Sequence, residues 1–193
     1  MRIIAGRFRG HALTAPQGRT IRPTSDRLRE TLFNLLAHGH GDPVPGARVL
    51  DLFAGTGALG LEALSRGGAS CLFVDHGAEA RALIRGNVEA LGLGGVTRVL
   101  RRDAAALGTA TSPLATLVFL DPPYGAGLAE RALVSAAAGG WLAPDALMVV
   151  EEAAQAAFEP PAGFTLLDRR ASGDSQLLFL AYKAQTGGGL RSA

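Results

Sequence analysis

The stretch Asp51-Leu52-Phe53-Ala54-Gly55-Thr56-Gly57-Ala58-Leu59-Gly60-Leu61-Glu62 decides the fold. It joins a short apolar run at residues 47–53 to an apolar segment at residues 57–66. The first reads as a strand and the second as the helix behind it. A strand, a Gly-x-Gly-x-x-Gly turn and a helix form the opening unit of nucleotide-binding α/β sheets, because glycines let the backbone turn sharply and approach a ligand closely. Asp75 ends the next apolar run, residues 71–74, and stands 20 residues after Gly55. That is the separation at which an acid reaches ribose hydroxyls. This half of the sheet therefore reads as a site for an adenosine-like nucleoside.

Outward from that unit the alternation continues. Residues 78–91 read as a helix, 98–100 as a strand, 116–120 as a strand, 128–138 as a helix and 146–150 as a strand. The run at 116–120 is continuously apolar, as a strand buried on both faces requires. Residues 164–167 and 177–182 close the series as two strands with no helix between them, which predicts a hairpin. Upstream, a helix begins near Ser25, capped by Thr24 or Ser25, with Asp26 in its first turn. Leu28, Leu32, Leu35 and Leu36 give it one buried stripe, and Gly39 ends it. The prediction is an α/β fold: a Rossmann-like, mostly parallel seven-stranded sheet with an antiparallel last strand. Residues 1–24 are expected to form a basic N-terminal arm with a possible small hairpin. Residues 25–183 would then be the main domain and 184–193 a disordered tail.

Composition bounds the rest. A chain of 193 residues is one domain of ordinary size. At 48% hydrophobic and 19% charged residues it is not disordered throughout. Cys71, the sole cysteine, excludes a disulfide framework and a cysteine-only metal site. No apolar run approaches the ~20 residues that span a bilayer, and no apolar segment follows the first arginines as in a secretory signal. A cytoplasmic location is expected. Charge is uneven: seven arginines against two acids leave residues 1–31 at +5, so the remainder of a +2 chain carries −3. Lys183 is the only lysine. The planar fork of arginine suits phosphate, and a basic leading segment points to nucleic acid.

Two further features bear on chemistry. Asp51 ends the first strand just before the glycines. A buried anion there repels a pyrophosphate but suits the ammonium group of S-adenosylmethionine, which favours the sulfonium compound over a dinucleotide. Asp103, after the third strand, either accepts from an adenine amino group or caps a helix. The second feature is Asp121-Pro122-Pro123-Tyr124, which leaves the fourth strand at its carboxyl end, where ligands sit in open α/β sheets. An exocyclic amine on a nucleobase is a poor nucleophile because its lone pair is delocalised. Two acceptors, the Asp121 carboxylate and the Pro122 carbonyl, can draw it toward a tetrahedral shape. The prolines hold the loop stiff, and Tyr124 offers a face on which the base stacks, worth ~1–3 kcal/mol.

The glycine loop with Asp-Pro-Pro-Tyr resembles class I methyltransferases that act on exocyclic amino groups. More narrowly, Arg22-Pro23-Thr24-x-x-Arg27-x-Arg29-Glu30-x-Leu32-Phe33-Asn34, joined to Asp51 through Gly60, resembles the bacterial RsmD-type family. The likeness runs from about Gly6 to Tyr182. It implies methylation of the N2 amino group of a guanine in small-subunit (16S) ribosomal RNA, within an assembling subunit, by a monomer that uses S-adenosylmethionine and no metal. The implied donor site is Asp51, Phe53, Gly55, Thr56, Gly57, Gly60, Asp75, His76, Asp103 and Ala104. The implied catalytic loop is Asp121, Pro122, Pro123 and Tyr124, and the implied RNA contacts are Arg7, Arg9, Arg22, Thr24, Arg27 and Arg29. Thr56 stands where serine is usual and Asp75 where glutamate is usual. Gly173-Asp174-Ser175 resembles the family's loop before the last strand but lacks the aromatic residue often seen there. Competing readings are a methyltransferase of DNA adenine, transfer RNA or protein glutamine, an NAD-dependent oxidoreductase, and a binding protein that has lost activity.

Overall fold

A computed structural model of the chain describes residues 1–16, 25–125 and 127–184. Among the described residues seven strands follow one another as β1 (Arg48–Leu52), β2 (Ser70–Val74), β3 (Thr97–Leu100), β4 (Ala115–Leu120), β5 (Leu142–Ala153), β6 (Phe164–Ser172) and β7 (Ser175–Tyr182). The helices are α1 (Asp26–Gly39), α2 (Ala58–Ser65), α3 (Ala78–Ala90) and α4 (Leu128–Ala138). The sheet order is β3-β2-β1-β4-β5-β7-β6. Pairings from β3 to β5 are parallel, and β7 runs antiparallel to both its neighbours. This is the mostly parallel seven-stranded sheet that the sequence predicts. The strand order reverses between β1 and β4, and the crevice beyond their carboxyl ends is where such sheets bind ligands.

Side chains alternate between the two faces of the sheet. Val49, Phe119, Val149 and Phe179 point to one face, where they pack with Leu32 and Leu36 of α1, Leu61 of α2 and Ile84 of α3. Leu50, Val118, Met148 and Leu178 point to the other and meet Ala129 and Leu133 of α4. Ser25 caps α1, its hydroxyl accepting from the Leu28 N–H at 3.1 Å.

Two strands outrun their apolar cores. β5 begins at Leu142 rather than at residue 146, because Leu142 pairs with Ala115 across a register shift. β6 runs on through Asp168, Arg169 and Arg170. As an edge strand it needs hydrogen bonding on one side alone, and charged residues there discourage pairing with another chain.

Residues 1–16 fold back on themselves and dock on the sheet. Arg2 and Ala12 form an antiparallel bridge, the Ile3 N–H donates to the His11 carbonyl at 3.0 Å, and Ile3 and Leu13 are buried in the core. The fully buried Glu62 carboxylate accepts from the Ile4 and Ala5 N–H groups at 2.8 and 3.0 Å. Asn87 holds Thr14 through both of its backbone groups. The boundary expected at residue 24 and the tail from 185 onward lie outside the described residues.

Candidate active site

A cavity of about 1110 Å³ opens beyond the carboxyl ends of β1, β2, β4 and β5. Its walls bring together Asp51, Phe53, Gly55, Thr56, Asp75 and His76 from the first half of the sheet and Asp121, Pro122, Pro123 and Tyr124 from the second. Leu52 pairs with Leu120, so Phe53 and Asp121 leave adjacent strands side by side. Parallel register thus joins two loops that lie some 70 residues apart in the chain.

The turn after β1 is strained. Phe53 has φ +59°, a conformation that a bulky residue rarely adopts. Gly57 follows at φ +78° as the residue before α2. Asp75 holds the turn: the Gly55 N–H donates to one carboxylate oxygen at 2.9 Å and the Gly77 N–H to the other at 2.7 Å. An ionised carboxylate has about four acceptor positions, so Asp75 keeps acceptor capacity for a diol. Arg81 steadies the same corner by donating to the carbonyls of His76 and Gly77 at 2.6 and 2.9 Å.

Asp51 is 1% exposed. The Gly60 N–H donates to its Oδ2 at 3.0 Å. Burial pushes its carboxyl well above the usual carboxylate range; the Gly60 N–H opposes this, and Asp121 and Asp75 push it further up. Asp51, Asp75 and Asp121 face one cavity that Glu79, Glu151 and Asp174 also line, with Arg27 as counter-charge, so the walls are net negative and suit a cationic ligand. S-adenosylmethionine fits this donor set. Asp51 would take its ammonium group and Asp75 its ribose hydroxyls.

Some expected residues do other work. Gly57 and Gly60 are not in the cavity wall. A Cβ on Gly60 would lie 2.5 Å from Cys71 Sγ, 2.5 Å from Phe73 and 3.0 Å from Asp51 Oδ2, so this glycine lets α2 pack on the sheet. Asp103 and Ala104 also stand outside the cavity wall. Asp103 caps a short 3-10 turn, accepting from the Ala105 N–H at 2.8 Å, and Ala104 is buried in the core. Of the arginines, Arg27 reaches the cavity wall, and Arg7 and Arg9 are exposed away from it. Arg29 corrects the sequence reading. It is fully buried and donates to the Arg2 carbonyl and to Asp26, which ties α1 to the leading segment and keeps it from any surface RNA. Arg22 and Thr24 lie outside the described residues.

The sequence reading missed Glu151, which lines the cavity together with Ser172 and the Gly173-Asp174-Ser175 loop that the resemblance singled out. Glu151 is the first polar residue after an apolar strand run, the same signal that marks Asp75 and Asp121. The turn between β6 and β7 brings residues 172–174 to the cavity wall.

The family model described as Conserved hypothetical protein 95 matches residues 1–181. Ribosomal RNA small subunit methyltransferase D of Escherichia coli strain K12 is 38% identical over 191 residues, covering 97% of this chain and 92% of that protein. The protein of the same name from Haemophilus influenzae is 34% identical over 177 residues, covering 90% and 89%. The solved structure of yhhF from Escherichia coli matches with a TM-score of 0.80 at 36% identity, covering 96% of this chain and 99% of that one. The chain belongs to the Conserved hypothetical protein 95 family, the family of ribosomal RNA small subunit methyltransferase D.

Proposed function

We propose that this protein is a small-subunit ribosomal RNA methyltransferase that uses S-adenosylmethionine and methylates the N2 amino group of a guanine. Its relatives act, by name, on ribosomal RNA of the small subunit. The observation that carries the reading is the meeting of Asp51 and Asp75 with Asp121-Pro122-Pro123-Tyr124 in one cavity at the reversal of strand order.

Bound S-adenosylmethionine supplies a methyl carbon made electrophilic by a positively charged sulfur. The protein's own residues orient the partners. Asp51 holds the ammonium group and Asp75 the ribose diol. A guanine leaves its RNA stack for the cavity, and Tyr124 stacks on its ring. The Asp121 carboxylate and the Pro122 carbonyl accept from the two hydrogens of the amine and bring its lone pair out of conjugation. Alignment of this kind supplies up to about 7–11 kcal/mol of a barrier. The amine's surplus proton passes to Asp121 or to solvent. Arg27 at the rim, with Arg7 and Arg9, meets backbone phosphates. The working form is a cytoplasmic monomer acting on RNA in an assembling small subunit.

The deciding measurement is transfer of labelled methyl groups to immature small subunits, naked ribosomal RNA and DNA, followed by mass spectrometry of the product base. The expected result is N2-methylguanine in small-subunit RNA, reduced at least about 100-fold by Asp121→Ala. Label confined to DNA overturns the RNA reading. Calorimetric binding of NAD without binding of S-adenosylmethionine overturns the methyltransferase itself.

A further inference from the structure

The end of β5 carries two buried acids in succession, Glu151 at 7% and Glu152 at 4% exposure. Acids are rarely so buried without a task. Leu120, the last residue of β4, pairs with Val150, so Asp121 leaves β4 next to Glu151 on β5, which runs on to Ala153. The Tyr124 hydroxyl donates to Glu151 Oε1 at 2.7 Å. The Gly125 N–H donates to Glu152 Oε1 at 3.3 Å, and the same oxygen accepts from Ala153 N–H at 2.9 Å. Each acid therefore grips one residue of the loop that leaves β4. One takes the side chain of Tyr124 and the other the backbone at Gly125, where φ is +76°.

We infer that Glu151 is a positioning residue for methyl transfer, fixing the Tyr124 ring at the angle on which the base stacks. The inference rests on the proposed role of Tyr124 and goes beyond it. A tyrosine ring has two side-chain torsions to lose. The bond to Glu151 fixes both before the base arrives, so binding does not bear the cost of ordering the ring. A phenylalanine gives the same apolar face with no such anchor. This bond lies in a part-buried setting where water competes poorly. The grip of Glu152 on Gly125 closes the far end of the same loop, so the acceptor groups of Asp121 and Pro122 sit on a segment held from both sides.

The test is a double-mutant cycle on Tyr124→Phe and Glu151→Ala, with Glu151→Gln as the variant that keeps an oxygen acceptor. Misplacement of a reacting group by about 1 Å costs about 100-fold in rate. Glu151→Ala is expected to lower kcat by about 10- to 100-fold with the dissociation constant for S-adenosylmethionine unchanged. Tyr124→Phe should fall in the same range. The double variant should be no slower than the slower single one, and Glu151→Gln should recover most of the loss. Multiplying losses, or equal loss of donor binding, overturn the inference.

The chain has two tyrosines, Tyr124 and Tyr182. Carbon-13 labelling at the ring carbon that bears the hydroxyl gives a readout that needs no substrate. Tyr124 should ionise at lower pH in Glu151→Ala than in wild type, and Tyr182 should not move. If Tyr124 titrates identically in both, the bond to Glu151 is not formed in solution and the inference fails, whatever the substrate proves to be. If the shift appears and no nucleic acid is methylated, the functional reading fails and the Tyr124–Glu151 coupling stands. Should Glu151→Ala not fold, Tyr124→Phe breaks the same bond from the other side. The kinetic loss is then read against Glu151→Gln.

Discussion

Asp51 carries a conflict between folding and function. Burial raises its carboxyl well above the ordinary value, and Asp121 and Asp75 add to that against the Gly60 N–H. The folded chain keeps a proton that the unfolded chain releases near the usual carboxylate pH of about 4. The stability this contributes is complete below that pH and is lost as pH rises through the folded value. A bound cation reverses the preference, since it favours the ionised form. S-adenosylmethionine affinity should therefore fall as pH drops through the raised Asp51 value. Asp51→Asn removes the charge and keeps an oxygen for the Gly60 N–H. It should weaken S-adenosylmethionine binding about 10- to 100-fold near neutral pH, the size of one charge-assisted hydrogen bond, and flatten the pH dependence. The same variant should melt no lower than wild type near pH 8, because the term that falls with rising pH is gone. Calorimetry and melting curves from about pH 5 to about pH 9 check both. Wild-type affinity in the variant would take Asp51 out of the donor site.

Among the elements, α2 is the one whose packing allows least change. All eight of its residues are buried, and it lies on the sheet with Gly60 against Cys71, Phe73 and Asp51. Cys71 and Phe73 are themselves buried at 2% and 0% exposure, so neither has room to retreat. Gly60→Ala should destabilise the fold by about 1–3 kcal/mol, the usual cost of overfilling a packed core. It should also weaken donor binding, since Asp51 takes its hydrogen bond from this same residue. Denaturant unfolding and calorimetry test the two effects. An Ala variant as stable as wild type would show that α2 can lift from the sheet. The strands and helices of this half were legible in the sequence because each has an apolar core with turn residues at its ends. β6 was legible only as far as residue 167. Beyond it the strand is made of Asp168, Arg169 and Arg170, and an edge strand needs no apolar alternation to be held by backbone bonds to β7. The docking of residues 1–16 was hidden for a related reason. Besides the two apolar side chains Ile3 and Leu13, its anchors are backbone N–H groups meeting Glu62 and Asn87, and backbone groups leave no mark in a sequence.

Across the whole molecule, two patterns in the sequence lead to the site: acids at the carboxyl ends of apolar runs, and glycines after the first of them. Those rules find Asp51, Asp75 and Asp121, because parallel strands bring their carboxyl ends to one edge. They do not separate a cavity acid from a capping acid: Asp103, three residues beyond β3, caps a 3-10 turn, one of the two roles its position allows. Nor does a count of arginines separate those facing solvent from those inside. Arg7, Arg9 and Arg27 are exposed, and Arg29 is wholly buried with Asp26 and the Arg2 carbonyl as partners. Salt dependence distinguishes the two kinds. Each phosphate neutralised by an exposed cation adds about 0.7–0.9 to the slope of log affinity against log salt. Arg27→Ala should lower that slope by about one contact and leave melting unchanged. Arg29→Ala should leave the slope of the folded protein unchanged and lower stability by about 1–3 kcal/mol. The loss is held to that range because Asp26 is half in water and its attraction is screened. Affinity for a small-subunit RNA fragment, measured across a salt series and paired with thermal melting, gives both quantities for each variant. If Arg29→Ala lowers the slope as Arg27→Ala does and melts like wild type, then Arg29 faces RNA in solution and the packing of α1 against the leading segment is not the one described.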